Sequence, residues 1–588
     1  MARLDPHSYN DSTQPETASL SLNARVDFGT HTLEADARLT FRAPSLGPVR
    51  LDLDTRELSV HEVLDDAGRR LPFTLHPPEP ALGARLSIEL PSGVGGVRVR
   101  YRTAPTASAL QWLAPSQTLG GQLPFLFSQC QAIHARSVVP LQDTPRIRIR
   151  YRAELDVPAQ LRAVMAAAFI ERREEQGRAV EVFEMPQAIP PYLFAFAVGD
   201  LARRDLSPRS CVWAEPKMLD RAATEFSGVE EMIRAAEALF GPYDWDRFDI
   251  LTMPPSFPYG GMENPRLTFL TPTIVTGDRS LVNVLAHELA HSWTGNLVTN
   301  ANAEHFWLNE GFTVYAERRI LEALEGPDVA ALHAAIGRRS LDEAVARFAK
   351  TPQLTRLRTQ LAHVDPDEAF SQVPYEKGYL FLRALEEAVG RTRFDAFLKK
   401  YLATFRFESV TTEDFLHLAR QHLDGALEKL NAGVWIDGEG VPENAPRPSS
   451  KRLEQIDKLR GAVPKVSLTQ GWTPTEWQLY LDSMPRPAPQ EICQTLDTRY
   501  RLTESQNHEV LMSWLTLATT SDYAPVLPRV QEVLGQVGRM KYLRPLYLAL
   551  AKNRKTKALA RQCYEQTKAG YHPIARQVVE GVLREAGA

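Results

Sequence analysis

The chain has 588 residues, of which 44% are hydrophobic and 24% charged. That supports large buried cores and, at about 150 residues per domain, three or four domains. A formal net charge of -4 excludes the basic field that would draw nucleic acid or an anionic membrane surface, so neither is expected as a partner.

In chain order, Leu20, Leu22, Ala24, Val26 and Phe28 alternate with polar residues, as do Leu33, Ala35, Ala37, Leu39 and Phe41. That is the period of a half-buried antiparallel strand. The pattern returns at residues 49–53 and 146–151, with Gly29-Thr30 and Pro44-Ser45 as turn signals. From about residue 206 the apolar spacing becomes helical, which predicts helices over residues 226–240, 280–293 and 310–324. Residues 437–450 hold Gly438, Gly440, Pro442, Pro446 and Pro448, the composition of an interdomain linker. Residues 453–587 are nearly all helical in pattern, with breaks at 522–525 and 535–538. Stacked helical hairpins without a fixed repeat period are expected there.

Cys130, Cys211, Cys493 and Cys563 stand far apart with no CxxC pair. A reducing compartment fits that usage, and a cysteine-bound structural metal does not. The first residues are polar, unlike a signal peptide, and no run reaches the roughly eighteen apolar residues of a membrane span. A soluble, monomeric cytoplasmic protein is expected.

His287-Glu288-Leu289-Ala290-His291 is followed, after eighteen intervening residues, by Glu310. Histidines four positions apart share one face of a helix. Two imidazoles and a carboxylate are the ligand set of a catalytic zinc that keeps one position open for water. Such an ion, one per chain, would lower the pKa of its water to roughly 7, and Glu288 would take the proton as general base and return it to a departing amine. Glu317, seven residues beyond Glu310, shares its helix face. It is either the outer partner of a ligand histidine or a solvated helix-face carboxylate.

Gly260-Gly261-Met262-Glu263-Asn264-Pro265 lies just upstream of this motif. The two segments together resemble the gluzincin zinc aminopeptidases of family M1, marked by G-x-M-E-N before HExxH-x18-E. Residues 127–134 (FSQCQAIH), 254–259 (PPSFPY), 373–378 (VPYEKG) and 538–541 (GRMK) look like the leukotriene A4 hydrolase and aminopeptidase B subgroup. The resemblance covers essentially the whole chain. It implies a multidomain α+β fold: a β saddle-like N-terminal domain over residues 1–205, a thermolysin-like zinc catalytic domain over 206–440, a Pro-rich linker over 441–450, and an α-helical, armadillo- or HEAT-like domain over 451–588.

The resemblance also implies roles. Glu263 would hold the free α-ammonium of a short peptide with help from Gln131, Gly260 and Gly261 would let the substrate backbone approach, and Met262 would belong to the same substrate-binding segment. Tyr375 would donate to the developing oxyanion, and Tyr259 would line the site. Arg539 and Lys541 match positions that bind a peptide's C-terminal carboxylate, which favours tripeptides. Asp367 matches the aspartate of the first side-chain pocket and suggests a basic first residue.

Phe370 and Phe312 depart from leukotriene A4 hydrolase, which has tyrosine and histidine there, and both weaken a transfer of lipid epoxide chemistry. The expectation is a zinc aminopeptidase acting on short peptides. The alternatives are a bifunctional enzyme that also opens a lipid epoxide, or an inactive peptide-binding scaffold, against which the retention of Glu288, Tyr375 and all three ligands speaks.

Overall fold

The computed structural model describes residues 3–587, which form three hydrophobic cores joined into a β-rich N-terminal domain, a catalytic domain and a helical C-terminal domain. The alternation read from the sequence produces the first hairpin. Thr17–Asp27 pairs antiparallel with Thr32–Phe41, and Leu20, Leu22, Ala24 and Val26 face Leu39, Ala37, Ala35 and Leu33, all buried. The Asp27 carboxylate accepts from the Gly29 amide at 2.8 Å and fixes the turn. These strands lie inside a seven-stranded sheet, in which Thr17–Asp27 also pairs parallel with Ile149–Pro158. A four-stranded sheet and a three-stranded sheet, the latter with Val49–Thr55 at one edge and Ala84–Leu90 in the centre, complete this domain.

The alternation at residues 146–151 is misleading at its start, because the strand begins at Ile149. Arg148 turns inward instead and is buried, donating to the carbonyls of Asn296, Leu297 and Glu408. Burial brings its pKa down to about 10. A buried cation tied to backbone carbonyls here clamps the β-rich domain onto the turn that follows the zinc-motif helix.

In the catalytic domain a five-stranded sheet runs from Ala202–Ser207 to the edge strand Gly261–Met262, which pairs antiparallel with Leu267–Leu270. Beside it the motif helix spans Val282–Ala290, shorter than the expected 280–293, with His291 as its cap residue still in helical conformation. The next long helix, Trp307–Glu325, begins three residues earlier than expected and is buried along most of its length. A π-helical turn, Val373–Lys377, feeds the helix Gly378–Val389.

Residues 437–450 contain no helix or strand, as their composition implied. Beyond them helices from Lys451–Asp457 to Pro573–Glu585 pack around Trp514, Tyr542, Tyr547 and Leu550. The break near residue 538 is one place where this domain meets the catalytic one. Gly538 and Met540 donate their amides to the carbonyls of Pro255 and Pro258, at 2.8 Å each. A Cβ on Gly538 would stand 2.6 Å from the Ser256 backbone, so only glycine fits this junction. The contact aims Arg539, the intervening residue, at the active-site loop. No helix among the described residues is long and apolar enough to cross a membrane.

Candidate active site

Helical geometry brings the motif together as its spacing requires. His287 Nε2 and His291 Nε2 lie 3.2 Å apart, and Glu310 Oε2 is 3.3 Å from the first and 3.5 Å from the second. Glu310 Oε2 is buried and has no hydrogen-bond partner among the described residues. An unpaired buried carboxylate oxygen aimed at two ring nitrogens is an unfavourable arrangement unless a cation joins them. The three donors therefore fit one zinc ion in number, type and convergence.

The outer faces of both rings are occupied. His287 Nδ1 is 3.0 Å from Glu317 Oε2, so the carboxylate left open between two roles by the sequence is buried against the motif helix. His291 Nδ1 lies 3.2 Å from the Thr294 carbonyl and 3.1 Å from Thr313 Oγ1. With acceptors behind both rings, each Nε2 presents its lone pair to the shared point. Thr294 and Thr313 were not singled out from the sequence; Thr313 sits one position after Phe312, near Glu310.

Glu288 is buried beside this centre, and burial pushes its carboxyl up to about 8. It lies flat against the edge strand: a Cβ on Gly261 would come 2.2 Å from Glu288 Oε1. Glu263 is also buried, and burial, together with the Glu310 and Glu288 charges, lifts its carboxyl well above the usual range. Gln131 Nε2 donates to Glu263 Oε1 at 3.4 Å, and Asn296 Nδ2 donates to the Glu263 carbonyl at 2.7 Å. Met262 turns its side chain into the core, where its Sδ accepts from Gln129 Nε2 at 3.1 Å.

Tyr375 stacks on the His287 ring, with centroids 6.1 Å apart, and its other neighbours are Phe306 and Phe370. Gln131, Tyr259, Phe306, Phe370 and Asp367 line one cavity with largely apolar walls. No sequence pattern announced that cavity. At its wall Asp367 Oδ2 is 2.8 Å from His134 Nε2, a histidine quoted in the motif but given no role.

Arg539 is buried, and its Nη2 would meet a Cβ on Gly260 at 2.6 Å, so it borders the glycine loop. Its Nη1 donates to Tyr542 Oη at 2.8 Å, while its Nε has no partner among the described residues. Lys541 Nζ donates to both oxygens of Glu509, at 2.8 and 2.7 Å, and Arg539 Nη1 reaches the same carboxylate at 3.4 Å. Glu509 thus braces both cations of the 538–541 segment. Nothing local in its sequence distinguished it.

The sequence matches the Peptidase M1 N-terminal domain over residues 6–193, the Peptidase family M1 domain over 225–434, and the C-terminal domain of leukotriene A4 hydrolase over 472–583. It is 37% identical to "Leucine aminopeptidase 2" of Yarrowia lipolytica, over 99% of this chain and 96% of that one. It is 36% identical to "Leukotriene A-4 hydrolase" of Xenopus laevis, over 98% of each. The chain belongs to peptidase family M1. The structure of yeast leukotriene A4 hydrolase in complex with bestatin superposes with a TM-score of 0.92 at 31% identity, covering 99% of this chain and 97% of that one. As an M1 enzyme with this donor set, the chain is a zinc metallo-aminopeptidase, built in the three-domain form of that subgroup.

The brace formed by Glu509 has a pH signature. Burial works to raise its carboxyl, but Lys541 and Arg539 outweigh it and bring the pKa from the ordinary 4.5 down to about 2. A carboxylate depressed on folding stabilises the fold above its unfolded value, and that stabilisation fades as pH falls through the folded one. We expect the wild type to lose about 3 kcal/mol more than Glu509→Gln as pH falls from ~4.5 to ~2. Thermal midpoints of the two proteins across that window check this; equal slopes would contradict it.

Proposed function

We propose that this M1 enzyme removes the N-terminal residue from short peptides, with His287, His291 and Glu310 as the zinc ligands. The carrying observation is the buried, unpartnered Glu310 Oε2 facing two imidazole nitrogens. A zinc ion held by these three residues would supply a bound water of lowered pKa and an electrophilic pole for the scissile carbonyl. Glu288 accepts a proton from the attacking water and returns it to the leaving amine, held in place by the close approach of Gly261. Tyr375, stacked on His287, donates its hydroxyl to the oxygen that gains charge.

Selection of a free N-terminus falls to Glu263 and Gln131. A buried carboxylate with a raised pKa is stabilised when an ammonium enters beside it, and an acylated terminus leaves it unpaired. Arg539, with Lys541 behind it, takes the C-terminal carboxylate of a tripeptide, which its unpartnered Nε and its position against Gly260 support. Asp367 on the cavity wall favours a basic first side chain. The apolar character of that cavity also favours a second reading, in which the same site opens an apolar epoxide, although Phe370 stands where the related hydrolase has tyrosine. We further propose a monomer and a cytoplasmic location, the latter supported by its four free, buried cysteines.

In Glu288→Gln we expect zinc to be retained and kcat to fall about 10²–10⁴-fold. Metal analysis and steady-state rates on an aminoacyl-arylamide check this, and undiminished turnover would remove Glu288 as the base. N-acetylation of a tripeptide is expected to abolish its cleavage. Efficient cutting of the blocked peptide, followed by mass spectrometry, would reveal an endopeptidase and overturn the role of Glu263.

A further inference from the structure

His134 belongs to the β-rich domain and is 233 residues from its partner, Asp367, yet its Nε2 lies 2.8 Å from Asp367 Oδ2. Behind it, Arg56 Nη1 is 2.8 Å from His134 Nδ1, and Ser108 Oγ is 2.8 Å from the same nitrogen. A guanidinium can only donate. His134 Nδ1 must therefore accept, so the ring carries a single proton, on Nε2, and donates it to Asp367.

The consequence is electrostatic. A doubly protonated ring would cancel the charge of Asp367 and leave the cavity wall neutral. A neutral ring with a fixed tautomer grips one carboxylate oxygen and leaves the charge intact for a ligand. Arg56 itself is held away from the cavity. Its Nη1 also donates to Ser108 Oγ at 3.2 Å, its Nη2 donates to the Ala81 carbonyl, and Asp365 and Asp143 as well as Asp367 face its charge.

We propose that Arg56 and His134 are positioning residues for substrate specificity: Arg56 locks the His134 tautomer, and His134 orients Asp367 so that its free oxygen meets a cationic first side chain. The inference rests on the proposed assignment of Asp367 to the first side-chain pocket. It adds a chain of contacts by which the β-rich domain, which contributes no zinc ligand, sets what the catalytic domain selects.

The test measures kcat and KM of the full-length, zinc-loaded enzyme on arginyl- and leucyl-arylamides. Asp367→Asn is assayed first; if it leaves the arginine-to-leucine ratio of kcat/KM unchanged, the pocket assignment falls and this proposal falls with it. With that ratio sensitive to Asp367, His134→Leu is expected to lower it about tenfold or more, mainly through KM for arginine, the worth of a hydrogen bond to a charged group. His134→Gln, whose amide Nε2–H₂ can replace the lost donor, is expected to restore most of the ratio. Arg56→Met, which frees the tautomer, is expected to fall between the two. A fall of both substrates by the same factor in His134→Leu, or no rescue by glutamine, would make His134 a packing residue and overturn the proposal.

Discussion

Four carboxylates, Glu263, Glu288, Glu310 and Glu317, are buried around one point between two helices and an edge strand. Isolated buried carboxylates are strongly unfavourable, and neutral imidazoles offer only hydrogen bonds. Arg539 reaches toward Glu288, but its charge is shared with Glu509. In the proposed reading the missing positive charge has two sources: a divalent ion held by His287, His291 and Glu310, and the ammonium of an unblocked peptide beside Glu263. Binding and chemistry are in this sense one electrostatic problem, and the pocket is balanced only when both cations are in it.

The three domains divide the labour of holding that pocket open and rigid. The catalytic domain carries the proposed ligands and base; the β-rich domain places Gln131 beside Glu263 and, through Arg148, a clamp on the turn that carries Asn296. The helical domain supplies Arg539 through a backbone junction that only Gly538 permits. Close backbone approach recurs at Gly261, where the absence of a side chain lets Glu288 lie against the strand. Sites assembled from rigid elements and supported from behind keep their reacting groups within tenths of an ångström of productive geometry.

Legibility in the sequence followed the range of the interaction. His287 and His291 were readable because helical periodicity determines which side chains share a face, Glu310 because two imidazoles call for a carboxylate to complete a zinc ligand set, and the first hairpin because alternation determines which face is buried. The same alternation misled at residues 146–148, where Arg148 is drawn inward by carbonyls from distant loops. Glu317 could be located on a face but not given a partner, since its partner lies on another helix. His134, Glu509 and the apolar cavity were invisible for the same reason: each exists only where segments far apart in the chain meet, and no local spacing encodes that meeting. Met262 was read as part of the substrate loop, whereas its side chain is turned into the core.

The claim on which all of this depends is that one zinc ion neutralises the His287, His291 and Glu310 set. Elemental analysis of purified wild type and His291→Ala, before and after dialysis against zinc, tests it most directly. The account predicts about one zinc per wild-type chain and a loss of about 10-fold or more in affinity for the variant. Wild-type protein that carries no zinc and takes none up, or a variant that binds it as tightly as the wild type, would contradict it.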